Sequence, residues 1–214
     1  MTLSQIREPV YSDEHLIVVN KPSGLLCVPG LTEPENLYDS VLTEFPNARV
    51  VHRLDMATSG LVIFALSYEA QRELGKLFEQ RKVSKKYIAV VHGILDSHYG
   101  EIHSPMMCDW INRPKQKIDW LSGKKASTFY KTLATDNNKN QSRLLLSPHT
   151  GRSHQLRLHT LQLGHPILGD KLYSGHLEAE LETAPARMHL HAQSLQFIQP
   201  MTGKKIKIDC QPEF

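Results

Sequence analysis

The sequence predicts an α+β fold, in which a mixed, largely antiparallel β-sheet carries a few helices and loops flanking a central cleft. Three observations lead to this prediction. Short apolar runs bounded by turn residues are numerous, helical periodicity is confined to a few segments, and strands and helices do not alternate regularly. Because no repeat or linker interrupts the 214 residues, we expect a single domain over residues 1–214.

The composition narrows the class of protein. The net charge of +3 and the sequence pI near 8.7 allow a nucleic-acid partner without demanding one. The three cysteines, Cys27, Cys108 and Cys210, lie far apart and lack zinc-site spacing, so we expect reduced thiols in a cytoplasmic protein. No segment has the pattern of a signal peptide or the length of a membrane span.

The first part of the chain combines a strand, a turn and a short helix. Residues 16–20 form a predicted strand, and the sequence KPSG at residues 21–24 turns the chain out of it. Asp39 is the predicted cap of a helix over residues 40–45, which Pro46 ends.

The clearest helix follows Ser67, a favourable N-cap residue. Its apolar residues recur at the spacing i, i+4, i+7 and i+8 and therefore share one face: Ala70, Leu74, Leu77 and Phe78. After this helix, residues 87–91 have the composition of a buried strand, and residues 101–104 are typical of another.

The second half is predicted to contain a helix between two hairpins. Residues 154–163 form the helix, with Ser153 as its N-cap. Its apolar residues point to more than one side, so we expect it to be buried nearly all round. The hairpins are built from residues 126–133 with 143–147 and from residues 189–197 with 204–208.

One carboxylate, Asp55, lies in the sequence HRLDMATSG at residues 52–60, between two apolar runs. The turn residues after it predict a loop held between buried strands. Loops of this kind often carry catalytic groups, but aspartate is also common as a residue that tightens a turn. The local pattern leaves both interpretations open.

Arg157 lies in the middle of the apolar helix, where a charge is expected to need a partner. Asp55, on its apolar-flanked loop, is an anion in need of a cation. We therefore infer that the two residues pair, and that the pair keeps Asp55 ionised as a nucleophile or a base. A purely structural ion pair is the alternative.

Tyr87 opens a buried strand directly after Lys85 and Lys86. An aromatic ring beside cations can hold a nucleobase by stacking, an interaction of about 1–3 kcal/mol per base. The alternative is an ordinary tyrosine of the protein core.

A polar, basic segment at residues 108–117 is expected to be irregular. With Trp110 and Trp120 nearby, it has the composition of a segment that follows a phosphate backbone. A solvated charged loop is the alternative. The three cations of this segment are Arg113, Lys115 and Lys117.

The twelve histidines raise the possibility of a metal site. His154 and His159 are five residues apart, so they do not share a helix face as the histidines of HExxH do. His189 and His191 share a strand face, but no nearby carboxylate completes a ligand set. We therefore expect no metal site.

Four segments of the chain form one pattern: KPSG at residues 21–24, HRLDMATSG at 52–60, KKYIAVVHG at 85–93 and GRSHQLRLHTLQLGHPILGD at 151–170. In composition and order they resemble the RluA family of RNA pseudouridine synthases. The resemblance runs through most of the chain, and the combination of HRLDxxTSG with GRxHQLRxH is highly specific.

The resemblance implies roles for individual residues. Asp55 matches the catalytic aspartate, Tyr87 the tyrosine that stacks on the target base, and Arg157 the arginine that pairs with the aspartate. Arg53 matches an arginine that enters the RNA where the target base leaves, and Leu190 an apolar residue of the base pocket.

Further RNA contacts are expected inside the matching segments and in the basic segment. The residues are His52, Arg152, Arg113, Lys115 and Lys117. The sequence CDWINRPKQK at residues 108–117 and the short chain are most similar to members that modify both large-subunit ribosomal RNA and transfer RNA anticodon stem-loops. Larger relatives carry an S4 domain, for which this chain has no room.

The resemblance therefore implies a monomeric, cytoplasmic enzyme that isomerises uridine to pseudouridine without a cofactor. Two other classes remain as alternatives. One is a non-catalytic RNA-binding or RNA-chaperone protein on the same fold, against which the intact Asp55 argues. The other is a metal-dependent hydrolase built from the histidines.

Overall fold

The computed structural model describes residues 8–30, 35–174 and 185–214, and within these ranges the chain forms twelve strands and three helices. The strands are β1 (Tyr11–Ser12), β2 (Leu16–Lys21), β3 (Arg49–Val50), β4 (Ser59–Ala65), β5 (Ser84–His92), β6 (Tyr99–His103), β7 (Met106–Cys108), β8 (Gln116–Ile118), β9 (Ser127–Asp136), β10 (Gln141–Pro148), β11 (Leu190–Ile198) and β12 (Lys205–Asp209). The helices are α1 (Leu37–Glu44), α2 (Tyr68–Glu79) and α3 (Gln155–Gln162).

The chain divides into two compact units. The first contains the described residues of Met1–Lys85 and His191–Glu213, and the second those of Lys86–Leu190 together with Phe214. The single domain expected from the sequence remains a prediction. No helix among the described residues is long and apolar enough to cross a membrane.

The first unit is built on strands in the order β1-β2-β4-β11-β12, with β3 also paired to β4. All these pairs are antiparallel except β4 with β11, which run parallel where Ser59 lies opposite His191. The mixed, largely antiparallel sheet predicted from the sequence is therefore confirmed. The predicted hairpin near the C-terminus is also confirmed as β11 and β12.

The core of the first unit lies between this sheet and α2. All seven residues of β4 are buried, as its continuous apolar sequence indicates. The predicted apolar face of α2 packs on the core through buried Ala70 and Leu74 and half-buried Leu77 and Phe78. Ser67 is the N-cap of α2, because its side chain accepts a hydrogen bond from the amide of Ala70.

The cap predicted for α1 was wrong. The helix begins earlier than expected, and its N-cap is Asn36, whose Oδ1 accepts from the amide of Asp39 at 3.0 Å. Asp39 lies in the first turn instead and accepts a hydrogen bond from Asn36 Nδ2 at 2.7 Å. A carboxylate in this position is stabilised by the amides of the helix N-terminus. The local sequence is therefore compatible with either Asn36 or Asp39 as the N-cap.

The second unit contains the strands β5-β10-β9-β6 in antiparallel order. The predicted hairpin is confirmed as β9 and β10, which meet at residues 137–140. Helix α3 is confirmed and is buried at six of its eight positions, Gln155 to Thr160.

Two predictions for the second unit were wrong. The segment at residues 108–117 is not irregular throughout, because β7 and β8 pair at its ends, with Cys108 opposite Gln116. Ser153 is not the N-cap of α3. His154 takes that position with a left-handed φ of 56° and no capping hydrogen bond from its own side chain.

Candidate active site

Asp55 lies on the loop between β3 and β4, as predicted. Its side chain is half-buried, Leu54 before it is buried, and Arg53 is exposed. The amide of Thr58 donates to the carbonyl of Asp55 at 3.0 Å and closes the turn. The sequence therefore places a carboxylate and a solvent-accessible guanidinium two residues apart on one short loop.

Gly60 closes this loop because a side chain has no room there. Its φ is +115°, and an added Cβ would lie 2.4 Å from the carbonyl oxygen and 2.5 Å from the nitrogen of Ala192. The backbone of β11 thus approaches β4 at the residue where the loop ends. This contact explains the final glycine of HRLDMATSG.

Lys21, which the sequence analysis treated only as part of a turn, lies beneath the Asp55 loop. Its side chain is fully buried, and Nζ donates to the carbonyl oxygens of Pro22, Leu25 and Met56 at 2.8, 2.7 and 2.9 Å. Burial lowers the pKa of Lys21 to about 8, and the charges of Cys27 and Asp55 oppose this decrease. The sequence feature that could have identified Lys21 as a buried residue of the site is its position at the end of an apolar strand.

The KPSG turn and Cys27 hold the Asp55 loop on opposite sides of the carboxylate. The hydroxyl of Ser23 donates to the carbonyl of Ala57 at 2.6 Å, and the amide of Gly24 donates to the carbonyl of Met56 at 2.9 Å. On the other side of Asp55, the amide of Leu54 donates to Cys27 Sγ at 3.2 Å. The positions flanking the carboxylate are therefore fixed by the preceding segment of the chain.

A buried serine–histidine pair follows the loop. Ser59 Oγ lies 2.9 Å from His191 Nδ1, and His191 Nε2 lies 3.1 Å from the carbonyl of Cys210. Because a carbonyl only accepts, Nε2 carries the hydrogen and Nδ1 accepts from the serine. The pair joins the start of β4 to β11 and to the residue after β12, and sequence reasoning did not identify it.

His52 has contacts that indicate a structural role. Its Nε2 accepts from the amide of Ile63 at 3.0 Å, and its ring stacks on Phe78 with centroids 4.5 Å apart. Burial, with a smaller contribution from the charge of Lys85, lowers the pKa of His52 to about 3. The ring is therefore neutral near pH 7 and does not supply a cation for phosphate. Its contact with RNA remains a prediction.

In the second unit, Arg157 forms a bidentate ion pair with Asp170. Nε lies 2.7 Å from Oδ2 and Nη2 lies 2.6 Å from Oδ1, and both side chains are almost completely buried. The buried cation thus has the anion it needs inside its own matching segment, a partner that sequence reasoning missed. The expected pairing of Arg157 with Asp55 remains a prediction.

Tyr87 and Leu190 occupy strand positions of the second unit. Tyr87 is half-buried in β5, opposite Leu146 of β10. Leu190 begins β11 and is buried. An aromatic ring that keeps part of its surface exposed is suited to stacking, whereas a buried leucine is suited to a pocket wall.

Residues 106–118, which we call the basic hairpin, present cations and an aromatic side chain to solvent. The guanidinium of Arg113 stacks on Trp110 at 3.7 Å, while Trp110 and Ile111 are 65% and 93% exposed. Lys117 Nζ lies 3.9 Å from Asp119 Oδ2. Lys115 is exposed, and its amide donates to the carbonyl of Asn112 at 2.9 Å. The tip is therefore open to a large anionic partner.

Arg152 is exposed beside α3. Its Nε donates to the carbonyl of Lys125 at 3.2 Å, and its amide donates to Gln155 Oε1 at 3.0 Å. The guanidinium keeps further donors for a phosphate. Within residues 8–30, 35–174 and 185–214, no group of three or more histidine, cysteine or acidic side chains is arranged to hold a metal ion.

The predicted site residues divide between the two units. The first unit carries the Asp55 loop with His52 and Arg53, and the second carries Tyr87, Arg157 and Leu190. The second also carries the remaining predicted RNA contacts, Arg113, Lys115, Lys117 and Arg152.

Comparison with known proteins gives one consistent result. Residues 15–162 match the family described as RNA pseudouridylate synthase. The chain is 49% identical over 209 residues to the dual-specificity RNA pseudouridine synthase RluA of Haemophilus influenzae, covering 96% of this chain and 93% of the relative. The proteins of the same name from Yersinia pestis and Escherichia coli are 50% and 45% identical, over 96% of this chain and 98% and 93% of their own lengths.

Two solved structures share the fold. Human RNA Pseudouridylate Synthase Domain Containing 1 has a TM-score of 0.83 at 28% identity, covering 100% of this chain and 86% of that one. Human RNA Pseudouridylate Synthase Domain Containing 4 has a TM-score of 0.77 at 26% identity, covering 99% of this chain and 91% of that one.

Proposed function

The chain belongs to the RNA pseudouridylate synthase family and converts uridine to pseudouridine in RNA, and we propose that Asp55 is its catalytic residue. The observation that carries this proposal is the way in which the Asp55 loop is held. Hydrogen bonds reach the loop at Leu54, Met56 and Ala57, on both sides of the carboxylate. A group held so closely in position is suited to act on one sugar–base bond.

The reaction rearranges bonds within one nucleotide. The bond between C1′ of the ribose and N1 of uracil breaks, the base rotates, and a bond forms between C1′ and C5. The hydrogen on C5 is then lost and N1 gains one, so the reaction is redox-neutral. Asp55 either attacks covalently or removes a proton from the sugar to give a glycal, and both routes need an ionised carboxylate.

Other residues are assigned to binding the extruded base and the RNA. Tyr87 stacks on the target uracil, Leu190 lines its pocket, and Arg157 pairs with the catalytic carboxylate. Arg53 enters the position that the base vacates, because a planar guanidinium can stack between neighbouring bases. The basic hairpin and Arg152 contact phosphates, which supply affinity and register rather than chemistry.

The substrates we assign are a large-subunit ribosomal RNA hairpin and a transfer RNA anticodon stem-loop. The relatives at 45–50% identity are named dual-specificity enzymes, and a short, distortable RNA loop suits a compact chain that reads shape. We further propose that the enzyme is a cytoplasmic monomer with one domain and needs neither a cofactor nor a metal.

The test is direct modification of defined RNAs. Purified protein is incubated with the two RNA hairpins, and pseudouridines are mapped by carbodiimide labelling and reverse transcription. We expect new pseudouridine in both hairpins with the unmodified protein and in neither with Asp55→Asn. Modification of the ribosomal hairpin alone would contradict the dual specificity, and wild-type turnover in Asp55→Asn would contradict the catalytic role of the carboxylate.

A further inference from the structure

The hydroxyl of Tyr173 joins two parts of the second unit that the proposed function treats separately. The amide of Gln116, the first residue of β8 in the basic hairpin, lies 2.8 Å from this oxygen. His154 Nδ1, at the N-terminus of α3, also lies 2.8 Å from it. One oxygen atom thus connects the RNA-binding hairpin to the helix that carries Arg157.

The donors and acceptors around this oxygen are compatible. The amide of Gln116 can only donate, so the tyrosine oxygen accepts from it. The tyrosine hydrogen then has two acceptors within reach, His154 Nδ1 at 2.8 Å and the carbonyl of Gln116 at 3.5 Å, and the contact with His154 is the shorter one. His154 adopts a left-handed φ of 56°, a conformation that costs a non-glycine residue free energy and persists where its surroundings hold it. The bond to Tyr173 is such a constraint.

The ring of Tyr173 also lies close to the predicted catalytic arginine. The Arg157 guanidinium carbon is 5.0 Å from the ring centroid, within the range of a cation–π interaction. Asp170 Oδ1 accepts from Arg157 Nη2 at 2.6 Å and from the amide of Tyr173 at 3.3 Å. Asp170 therefore holds both the guanidinium and the turn that carries Tyr173.

The tyrosine ring is packed as well as hydrogen-bonded. It lies against the cluster of buried Met106 from β7, Ala126, and Leu158 from α3. The cluster against which Tyr173 packs therefore contains residues of both the hairpin and the helix. A displacement of the hairpin has a direct physical route to α3 through these contacts and through the hydroxyl.

We propose that Tyr173 is a positioning residue that couples the basic hairpin to Arg157, so that RNA held by the hairpin sets the geometry of the guanidinium. This inference rests on the proposed function. Tyr173 does not contact the reacting atoms in this scheme. Its hydroxyl transmits the position of β8 to the N-terminus of α3, one turn before Arg157.

The test is a double-mutant cycle on single-turnover kinetics with an anticodon stem-loop RNA at saturating enzyme. Arg113→Ala perturbs RNA binding at the hairpin, and Tyr173→Phe removes the hydroxyl while keeping the ring. In the protein with Tyr173, we expect Arg113→Ala to lower the saturated rate constant roughly tenfold in addition to weakening binding. In the Tyr173→Phe background, the same change should weaken binding only. Equal rate decreases in the two backgrounds would overturn the proposal.

Hydrogen exchange gives a readout that does not depend on turnover. Adding the RNA should slow exchange of the α3 amides in the unmodified protein and leave it unchanged in Tyr173→Phe. Tyr99→Phe is the matched control, because Tyr99 is 70% exposed on β6, and it should behave as the unmodified protein. Equal protection of α3 in Tyr173→Phe would overturn the coupling, whereas absence of pseudouridine with every protein would overturn the proposed function instead.

Discussion

At the scale of single residues, the environment of Asp55 is set by residues that precede it in the chain. Lys21, Ser23 and Cys27 hold the loop through main-chain atoms. These three hydrogen bonds use main-chain atoms of the loop, so they remain when the carboxylate of Asp55 is replaced by an amide of the same shape. A change at the carboxylate alone is therefore expected to spare the fold.

The first prediction concerns Asp55→Asn. An amide is neither a nucleophile nor a base at neutral pH, so we expect release of tritium from C5-labelled uridine to fall by roughly 10³-fold or more. RNA affinity should change little, because the proposed phosphate contacts and stacking residues lie elsewhere in the chain. Asp96→Asn, at an exposed position, is the control and should retain full activity. A loss of RNA binding equal to the loss of activity would argue for a structural carboxylate.

The second prediction concerns the pH dependence that His52 contributes. The folded-state pKa of His52 is lowered from 6.5 to about 3 by burial. The unfolded chain therefore binds a proton first as the pH falls, and the free energy of unfolding decreases between about pH 6.5 and pH 3. The His52 imidazole alone should lower the free energy of unfolding by about 2 kcal/mol between pH 7 and pH 5.

The variant that isolates this effect is His52→Gln, whose side-chain oxygen can still accept from the amide of Ile63. Denaturant melts at each pH should show a shallower loss of stability on acidification than in the unmodified protein. His98→Gln, at an exposed histidine, should follow the unmodified protein. Parallel pH profiles for His52→Gln and the unmodified protein would show that His52 titrates normally in the folded state.

At the scale of elements, the sequence correctly predicted features that depend on residues close together in the chain. Ser67 caps α2 through its own side chain, and the apolar spacing that follows it packs on the sheet as expected. The N-terminus of α3 depends instead on Tyr173, nineteen residues further along the chain. No local pattern around Ser153 contains that contact, and for this reason the cap was misplaced.

The paired strands of the basic hairpin illustrate the same limit. Strands β7 and β8 have three residues each, too few for an alternating pattern to be distinguished from a loop. Part of their arrangement comes from the bond between Gln116 and Tyr173. The irregular loop expected from the sequence was therefore wrong at the ends of the segment, whereas its contact with RNA remains a prediction.

The partner of Arg157 was also beyond a local argument. The sequence offered a buried cation and several carboxylates, and the need for charge compensation did not choose among them. Asp170 is thirteen residues away and meets the guanidinium with both oxygens. The requirement for an anion was therefore predicted correctly, while this partner was not identified.

The third prediction tests the Arg157–Asp170 pair. Arg157→Leu and Asp170→Leu each leave one buried charge without this partner, which typically costs about 3–5 kcal/mol in the free energy of unfolding. The double variant should lose less than the sum of the single losses, because neither charge remains. Denaturant melts of the three variants measure this difference.

A surface pair provides the control for that cycle. Lys207 and Asp209 approach to 3.0 Å, but their side chains are 61% and 44% exposed. Neutralising either should change stability by about 1 kcal/mol or less. Additive losses at Arg157 and Asp170 would show that the buried pair has no coupling and that each residue acts through other contacts.

At the scale of the whole molecule, the boundaries of the two units fall inside strands rather than in linkers. The chain passes from one unit to the other at Lys85–Lys86 within β5 and at Leu190–His191 within β11, and Phe214 alone returns to the second unit. No change in composition marks either position, so the sequence indicated one domain. The same boundaries divide the matching segments, with Asp55 in the first unit and Tyr87 and Arg157 in the second.

Two of the histidines considered as metal ligands, His191 in the first unit and His159 in the second, have both ring nitrogens in contact with other groups of the protein. His191 uses both ring nitrogens, on Ser59 and on the carbonyl of Cys210. His159 is buried between the hydroxyl of Thr128 at 2.8 Å and the carbonyl of Ser104 at 3.4 Å. A ring nitrogen held in a hydrogen bond does not coordinate a metal unless that bond is broken.

The last prediction follows from these contacts and from the redox-neutral reaction. We expect turnover on a pre-folded RNA hairpin, stabilised by monovalent salt alone, to be unchanged after treatment of the enzyme with EDTA. The RNA is folded in advance because removal of divalent ions can alter the substrate rather than the enzyme. The melting profile of the RNA in EDTA is the control for that effect. Activity that disappears with an intact RNA fold and returns only with zinc or another transition metal would establish a metal-dependent enzyme, and the histidine contacts would then have to open to form its site.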